Sequence, residues 1–584
     1  MKTDESPERL PLDRRQLLLG AAATVPLLSQ CAGPVQQASP EPQDGWTPPT
    51  TEARRALVAE AAFGRKQGVS SQSGLAICTH PLASSAAADM LRLGGNAVDG
   101  VLAASIAQAV VEPHMTTLSG CLSMLYFDAA TGETTYVNGM MATPQSHPFL
   151  SEPDFTKLMS MSRNGGLAFV PGFWGGFEAA HERYGALERK TVMAPAIHYA
   201  REGFEIHPFL WGEMFIESAA LGAVPESREM YFRDGALLNV GDLLVQSRHA
   251  DTLERLAEEG GDYFYRGEFA RRYAKAVQAA EGFVTAEDMA AYEGLWQEPA
   301  KSTYRGYDVV ASPAPDFGGQ AFLEIMNMVE LIDVQAQGPA NESPETTLKM
   351  MQIIGRVYAD AVSGNFSGNG PSVEKALSKE YAIERFAKLD GKPLSPYDAF
   401  ATPPPGSNHV TVVDAAGNVA TVLHSVMSLP FTTGIYVDGV YVCASGVHLG
   451  SGTPEPGGRA FARICPNLFL KEGRPVLASG SPSVSLTENI VQTSTQLLDF
   501  GVDIETAVHL PRFGGSSMND FTALMIEADM GETTVAALRD QGAKLEVVNP
   551  WNWTHGSFDG IAIAEDGTAS ACGDPRRTAQ AKSA

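Results

Sequence analysis

A serine and a histidine two residues apart, Ser407 and His409, are the strongest candidates for nucleophilic chemistry in the sequence. The run that follows, HVTVVDA, alternates as a half-buried β-strand does, and residues i and i+2 of a strand point to one face. A hydroxyl can then act as a nucleophile while the imidazole orients the site. On spacing alone, a turn serine and a structural histidine are the simpler interpretation, because Gly-Ser after a proline run is a common loop sequence.

Other chemistries find less support in the sequence. No G-x-S-x-G elbow lies between a predicted strand and helix, so a Ser-His-Asp hydrolase is not indicated. The six cysteines are scattered without a C-x-x-C pair or His spacing, which favours buried free thiols over one or two disulfides or a zinc site; they are Cys31, Cys78, Cys121, Cys443, Cys465 and Cys572. No metal and no cofactor is predicted. The formal charge of -26 argues against a nucleic-acid partner.

The elements that would position these residues are of mixed type. Two helical patterns separated by Gly94-Gly95 cover ASSAAADMLRLGGNAVDGVLAASIAQAVV, and the second is apolar almost all round, which predicts a buried helix. Four β-rich runs, YDVVASP, HVTVVDA, NVATVLHS and GIYVDGVYV, predict an antiparallel core flanked by helices. Residues 363–407 carry strong loop signals, with prolines at 403–405, and predict an exposed strap.

The N-terminus carries processing signals. Arg14-Arg15 before a short apolar run resembles a twin-arginine export signal, covering residues 1–31. Leu28 to Cys31 resembles a lipoprotein box, in which Cys31 would be lipidated and anchor the protein to a membrane. Gln30 departs from that pattern, and the alternative is a removed signal peptide with an incidental cysteine. The predicted location is the periplasm or outer cell envelope.

A tether is predicted at residues 32–60. Its first part, 32–50, is rich in Pro, Gln and Ser and cannot bury enough apolar area to offset the entropy of ordering. From Thr51 onward, TEARRALVAEAAFGRKQ has a helical composition.

The chain resembles the gamma-glutamyltransferase family over roughly residues 70–580. The motifs occur in the family's order: His80-Pro81-Leu82-Ala83-Ser84, Gly94-Gly95-Asn96-Ala97-Val98-Asp99, Val111-Glu112-Pro113-His114, FVTAEDMAAYEGLWQEP at 283–299, YRGYDVVASPAPDFGG at 304–319, and the closing GDPRR at 573–577. The resemblance implies a four-layer αββα N-terminal-nucleophile fold of the α/β (α+β) class. It also implies a proenzyme that cuts itself into a large subunit, 61–406, and a small subunit, 407–584, which remain together as a heterodimer.

By this resemblance, cleavage falls between Gly406 and Ser407, and Ser407 becomes both chain end and nucleophile. Its own α-amine, with an ordinary pKa of about 7.7 to 8.0, can then act as the general base. Asn408 and His409 would support the site, and Ser425 matches a second family hydroxyl. Backbone N–H groups of Ser483 and Val484, in the run Gly480-Ser481-Pro482-Ser483-Val484, would form the oxyanion hole.

Three parts of the family's substrate site are altered. The clamp arginine is absent from Val137 to Pro144, and the carboxylate that holds the substrate ammonium is absent from Val442 to Leu449. The serine pair corresponds to Ala462-Arg463, where Arg463 could restore an anion contact. Two interpretations stay open: an exported amidohydrolase acting on a small-molecule amide, such as glutathione or a related compound, and an uncleaved family homologue that serves as an envelope binding or scaffold protein. Self-cleavage separates them.

Overall fold

Two seven-stranded antiparallel sheets form the centre of the fold in a computed structural model of the protein. It describes residues 45–148, 155–389, 406–446, 449, 452, 454–482, 485–517, 520 and 522–584. The first sheet, in spatial order, contains Gln580–Ser583, Gly74–Cys78, Ser407–Asp414, Val419–Ser425, Cys121–Asp128, Glu133–Asn138 and Leu295–Gln297. The second contains Gly68–Ser71, Ala569–Cys572, Ile561–Ile563, Arg474–Ser479, Asn467–Lys471, Tyr307–Ala311 and Ala300–Tyr304.

The alternation of side chains along the strand Ser407–Asp414, here called the nucleophile strand, explains the layering. Val410 and Val412 pack outward against the helix Ala97–Val111, whereas Val413 joins the apolar contacts made between the sheets by Leu75, Ile77, Leu125, Val310, Leu468 and Ile561. Odd-numbered residues of this strand therefore face the second sheet. Ser407 and His409 share that inner face, while Asn408 faces the helices.

Helices cover both outer faces and complete the predicted αββα arrangement. Against the first sheet lie Pro81–Arg92, Ala97–Val111, Phe173–Tyr184, Arg189–Glu202, Ser247–Glu259 and Glu268–Ala279. Against the second lie Phe317–Val329, Pro344–Ser367, Lys379–Phe386 and Leu486–Asp499. As its composition predicts, every residue of Ala97–Val111 is buried, and Asn96 and Asp99 form a capping box at its start.

Smaller elements fill the periphery. A third sheet contains Phe513–Ser516, Leu524–Glu527 and Leu545–Val548, and two-stranded ribbons pair Phe204–Glu205 with Leu243–Leu244, Phe232–Arg233 with Ala236–Leu237, and Tyr436–Val437 with Val440–Tyr441. The remaining α-helices of the described ranges are Thr51–Ala59, Phe155–Met161, Pro208–Ile216, Ser218–Ala223, Pro225–Tyr231, Ala286–Ala290, Val334–Gln337, Val373–Ala376, Ile504–His509 and Glu532–Asp540. Across the ranges that the structure describes, every helix is too short or too polar to span a bilayer.

Two predictions from loop composition are corrected. Part of the predicted tether is ordered, because Thr51–Ala59 forms a helix whose Arg54 is buried and paired with Glu205. The predicted strap over residues 363–407 is not continuous, since the helix from Pro344 continues to Ser367 and ends at Gly368 in a left-handed conformation. Two further helices, Val373–Ala376 and Lys379–Phe386, also lie within that range. Earlier residues of the helix from Pro344, such as Ile354 and Tyr358, are buried and anchor it, and the helix continues through residues 363–367 although their composition has a weak helix propensity. Residues 390–405, including the prolines, lie outside the described ranges.

Candidate active site

Ser407 is the first residue of the nucleophile strand and lies at the end of the first sheet. It pairs directly with Ser425, the last residue of the neighbouring strand Val419–Ser425, and is only 4% exposed. At the other end of this hairpin, Asp414 accepts hydrogen bonds from the backbone N–H groups of Ala416 and Asn418, which fixes the turn. The register that brings the two serine hydroxyls together is therefore set by the hairpin itself.

The Ser425 hydroxyl connects the nucleophile to the peptide bond that precedes it. Its Oγ lies 2.9 Å from Ser407 Oγ and accepts a hydrogen bond of 2.8 Å from the Met427 N–H. The same hydroxyl donates to the carbonyl oxygen of Gly406. A donor on that oxygen polarises the carbonyl and would stabilise the negative charge that develops there when Ser407 attacks.

Gly406 is required at its position by close packing. A Cβ built on Gly406 would lie 2.6 Å from the carbonyl oxygen of His114 and 2.8 Å from a methyl group of Val426. Any larger residue would push the scissile carbonyl away from Ser407 and Ser425.

Asn408 belongs to a buried polar network on the helix side of the sheet. Its side-chain amide donates to Glu112 Oε2 at 2.9 Å. The Thr79 hydroxyl lies 2.8 Å from both Asn408 Oδ1 and Glu112 Oε2 and has one proton to share between them. Gln108 and Thr578 add further donors to the Glu112 carboxyl, at 3.2 and 3.5 Å. The residue next to the nucleophile is thus held by Thr79 and Glu112, in a network that draws on three separate parts of the chain.

Glu112 is the centre of this network and was missed from the sequence, where it was read only as part of a family motif. It caps the C-terminus of the buried helix and is fully buried. Burial raises the pKa of Glu112 to about 7, against the hydrogen bond from Thr79 and the charge of Arg577, which lower it. The sequence signal that could have identified Glu112 is its position at the end of a helix that is apolar almost all round, just before Pro113.

His409 is placed beside the site without bonding to the nucleophile. Its Nε2 lies 2.7 Å from Thr421 Oγ1, and no hydrogen bond in the described part of the chain joins it to Ser407. Burial lowers the pKa of His409 to about 3, so the imidazole is neutral under ordinary conditions. A Cβ on Gly480 would clash with its ring at 2.1 Å, so His409 supports the start of the predicted oxyanion loop.

Ser483 and Val484, the predicted oxyanion residues, lie outside the described ranges. The segment before them is fixed in place: the Asp559 N–H donates to the carbonyl of Gly480, and the Asn489 amide donates to Ser481 Oγ at 3.0 Å. The helix Leu486–Asp499 begins just after them.

Apolar side chains occupy the region where a charged clamp would be expected. Met140 and Met141 are fully buried. Met427, two residues after Ser425, is 2% exposed and has a left-handed φ of 52°. Arg463 is half-buried with its guanidinium 5.3 Å from the centre of the Tyr358 ring. Of the residues near 442–449, Val442, Cys443, Ala444 and Leu449 are buried, while residues 447 and 448 lie outside the described ranges.

The cysteines carry no catalytic signal. Cys78, Cys121, Cys443, Cys465 and Cys572 are free and buried, as the sequence predicted, and Cys31 lies outside the described ranges. Burial raises the pKa of Cys443 to about 11, which keeps its thiol protonated.

The four-layer fold, with a hydroxyl at the start of a central strand and a second hydroxyl on the preceding carbonyl, defines an N-terminal-nucleophile hydrolase. The sequence model described as gamma-glutamyltranspeptidase matches residues 83–584. The chain belongs to the gamma-glutamyltranspeptidase family.

Individual relatives support both the sequence and the fold assignment. The chain is 29% identical to the glutathione hydrolase proenzyme of Escherichia coli (strain K12), over 87% of this chain and 91% of that protein. It is also 29% identical to the acylase ACY 1 proenzyme of Pseudomonas sp. (strain SE83), over 86% and 92%. The crystal structure of cephalosporin acylase from Bacillus halodurans superposes with a TM-score of 0.76 at 25% identity, covering 89% of this chain and 97% of that one.

Proposed function

We propose that this protein cuts itself between Gly406 and Ser407 and then hydrolyses or transfers the acyl group of an amide through an ester on Ser407. The observation that carries the proposal is the position of Ser425, whose hydroxyl meets both Ser407 Oγ and the Gly406 carbonyl oxygen. No such contact is needed if Ser407 is only a turn residue.

Self-cleavage would proceed by an acyl shift. Ser407 Oγ attacks the carbonyl carbon of Gly406, the C–N bond to Ser407 breaks, and the proton of the hydroxyl passes to the departing nitrogen. Water then hydrolyses the ester, which leaves a carboxylate on Gly406 and a free amine and hydroxyl on Ser407. The subunits 61–406 and 407–584 would stay together as a heterodimer.

The Ser407 hydroxyl and its freed α-amine would then act in turnover. The free amine takes the proton from Ser407 Oγ as the oxygen attacks the substrate carbonyl, and it returns a proton to the leaving amine. Ser483 and Val484 are the proposed oxyanion donors, with Asn408, His409 and Ser425 in supporting positions. Water or a second amine then releases the acyl group.

The substrate proposed is a γ-glutamyl compound such as glutathione, or a related amide. The relatives are named for glutathione hydrolysis and for acylase activity, and both fit this chemistry. Buried methionines at 140 and 141 in place of an arginine clamp favour an acyl group with less charge, and Arg463 is the candidate contact for a carboxylate.

Export by the twin-arginine-type signal, a periplasmic or outer-envelope location and lipidation at Cys31 are proposed on the sequence of residues 1–31 alone.

The first test is the intact mass and N-terminal sequence of the purified protein beside a Ser407→Ala variant. Two chains, one starting at Ser407 and absent from the variant, are expected. A single stable chain in both would instead support the uncleaved binding or scaffold protein. Hydrolysis of glutathione, and of glutaryl and γ-glutamyl anilides, then separates substrates with and without the α-amino group.

A further inference from the structure

The position of the leaving group can be located from the chemistry of an N-terminal nucleophile. The amine of Ser407 must come within hydrogen-bond reach of the departing nitrogen in order to protonate it. Before self-cleavage that amine is the nitrogen joined to Gly406. The side chains around Gly406 therefore line the space that a leaving amine enters once the bond is cut.

Met115 is one of these neighbours and leads to a buried cation. A Cβ on Gly406 would lie 3.3 Å from Met115 Cα, and the Met115 carbonyl accepts from the Val426 N–H at 3.0 Å. On its far side, the Met115 sulfur lies 3.6 Å from an Nη1 donor of Arg577. One methionine side chain thus separates the scissile bond from a guanidinium group.

Arg577 is not paired as buried arginines usually are. It is 2% exposed, its Nε has no hydrogen-bond partner, and no carboxylate of the described residues lies within salt-bridge distance. The preceding residue, Arg576, is fully satisfied by Glu527 and Asp574. A buried cation without an anion is costly, so Arg577 is better explained by a ligand than by the fold.

Donors and aromatic rings surround this guanidinium. It lies 4.7 Å from the centre of the Phe209 ring and 5.8 Å from that of Trp553, whose side chain is 39% exposed and leads to solvent. His114 packs against Phe209 with ring centres 4.8 Å apart, and both of its ring nitrogens are buried without a partner. The cluster therefore offers N–H donors and flat apolar surfaces, and the one hydrogen bond that Arg577 donates within the described residues goes to the Met115 sulfur.

The acidic groups near Arg577 are Glu112, Glu213, Asp559 and Asp574, and none of them forms a salt bridge with it. Asp574 is paired with Arg512 and Arg576 instead. Burial raises the pKa of Glu112 and of Glu213 to about 7 and holds that of Asp559 well above its ordinary range. The raised pKa values favour the neutral form of these three carboxyls, whereas an arginine keeps its proton.

We propose that Arg577, His114, Phe209 and Trp553 form the leaving-group subsite and select amines that carry a carboxylate, such as an amino acid or a short peptide. This inference rests on the proposed self-cleavage and acyl transfer. The carboxylate would pair with the guanidinium, and the body of the amine would lie against the exposed part of the Trp553 ring.

The test compares two chromogenic substrates that share a glutaryl or γ-glutamyl group and differ only in the amine, 4-nitroaniline or 3-carboxy-4-nitroaniline. The mature wild-type enzyme is expected to show a kcat/KM at least about tenfold higher for the carboxylated amine, the size of one charged hydrogen bond. Arg577→Met should bring the ratio near one, and Arg577→Lys should restore part of it.

A matched control is Arg183→Met, since Arg183 also lies over two aromatic rings, Tyr184 and Trp296, at 5.1 and 4.4 Å. Its ratio should equal that of the wild type. If Arg577→Met does not mature, transfer by the wild-type enzyme to glycylglycine against glycylglycinamide gives the same comparison.

The possible failures are distinct. Equal use of both amines by a self-cleaved wild-type enzyme, or a ratio unchanged in Arg577→Met, overturns the subsite alone. An uncut chain that hydrolyses neither anilide overturns the proposed function, and the subsite with it.

Discussion

Replacing Ser425 with alanine should slow self-cleavage strongly and lower the stability of the fold moderately. The substitution removes the donor to the Gly406 carbonyl oxygen and the acceptor for the Ser407 hydroxyl. Loss of one donor to a developing oxyanion costs about 2.7 to 4 kcal/mol of transition-state stabilisation, which corresponds to a rate reduced about 10²- to 10³-fold. The Met427 N–H also loses its acceptor, which costs about 1 to 3 kcal/mol of stability.

The assay follows conversion of freshly purified precursor into two chains on a denaturing gel, with the masses confirmed by mass spectrometry. Ser425→Thr keeps the hydroxyl and should restore most of the rate. Ser105→Ala is the matched control, because Ser105 is a buried serine of the helix Ala97–Val111 whose Oγ has no partner. Its cleavage rate should be that of the wild type.

The reasoning is refuted if folded Ser425→Ala cleaves at the wild-type rate, or if Ser105→Ala is slowed equally. The first result would remove Ser425 from the reaction. The second would show that cleavage responds to any disturbance of the packing.

Three further predictions concern buried ionisable side chains. Because burial raises the pKa of Glu112 from 4.5 to about 7, its contribution to stability is complete below pH 4.5 and is lost as pH rises through 7. In a chain that also carries Ser407→Ala, the unfolding free energy of the Glu112→Gln variant relative to that of its Glu112 parent should rise by about 3 kcal/mol from pH 4.5 to pH 8. If the two unfolding free energies, measured with urea, run parallel over this pH range, the prediction is contradicted. Asp574→Asn removes the carboxylate partner of the buried Arg512 and one of the two partners of Arg576, and should cost about 3 to 5 kcal/mol. A loss below about 1 kcal/mol would show that the pairing is not needed. In a Cys31→Ser chain, the remaining thiols should react with Ellman's reagent at pH 8 only after denaturation, and reaction of the native protein would show that they are accessible.

The parts of the fold that follow from local pattern were predictable. The nucleophile strand and its partner both alternate, and the turn that joins them holds Gly417 at a φ of 85°. The buried helix before Glu112 could be recognised because polar residues are nearly absent from all of its faces. These features depend on residues close together in the sequence.

The polar network around Asn408 could not be predicted in the same way. Its members come from three distant parts of the chain: Thr79, the helix end that carries Gln108 and Glu112, and Thr578. Their hydrogen bonds depend on the pairing of strands that are far apart in sequence. The composition of residues 363–367 predicted a loop, and they are helical as the end of a helix whose earlier residues, such as Ile354 and Tyr358, are buried. Ser407 itself was singled out by the ordered motifs, since its local sequence resembles an ordinary turn.

Each of the two large sheets contains strands from both sides of the cleavage point, and this determines how the protein behaves after cleavage. Five strand pairs join residues before 407 to residues after it, as in Gly74–Cys78, which lies between Gln580–Ser583 and the nucleophile strand. A cut at Gly406 would therefore divide the polypeptide without releasing either piece. The cleaved protein would retain an architecture that only the continuous chain could build, so denaturing it once should be irreversible, and halves expressed separately should fail to assemble.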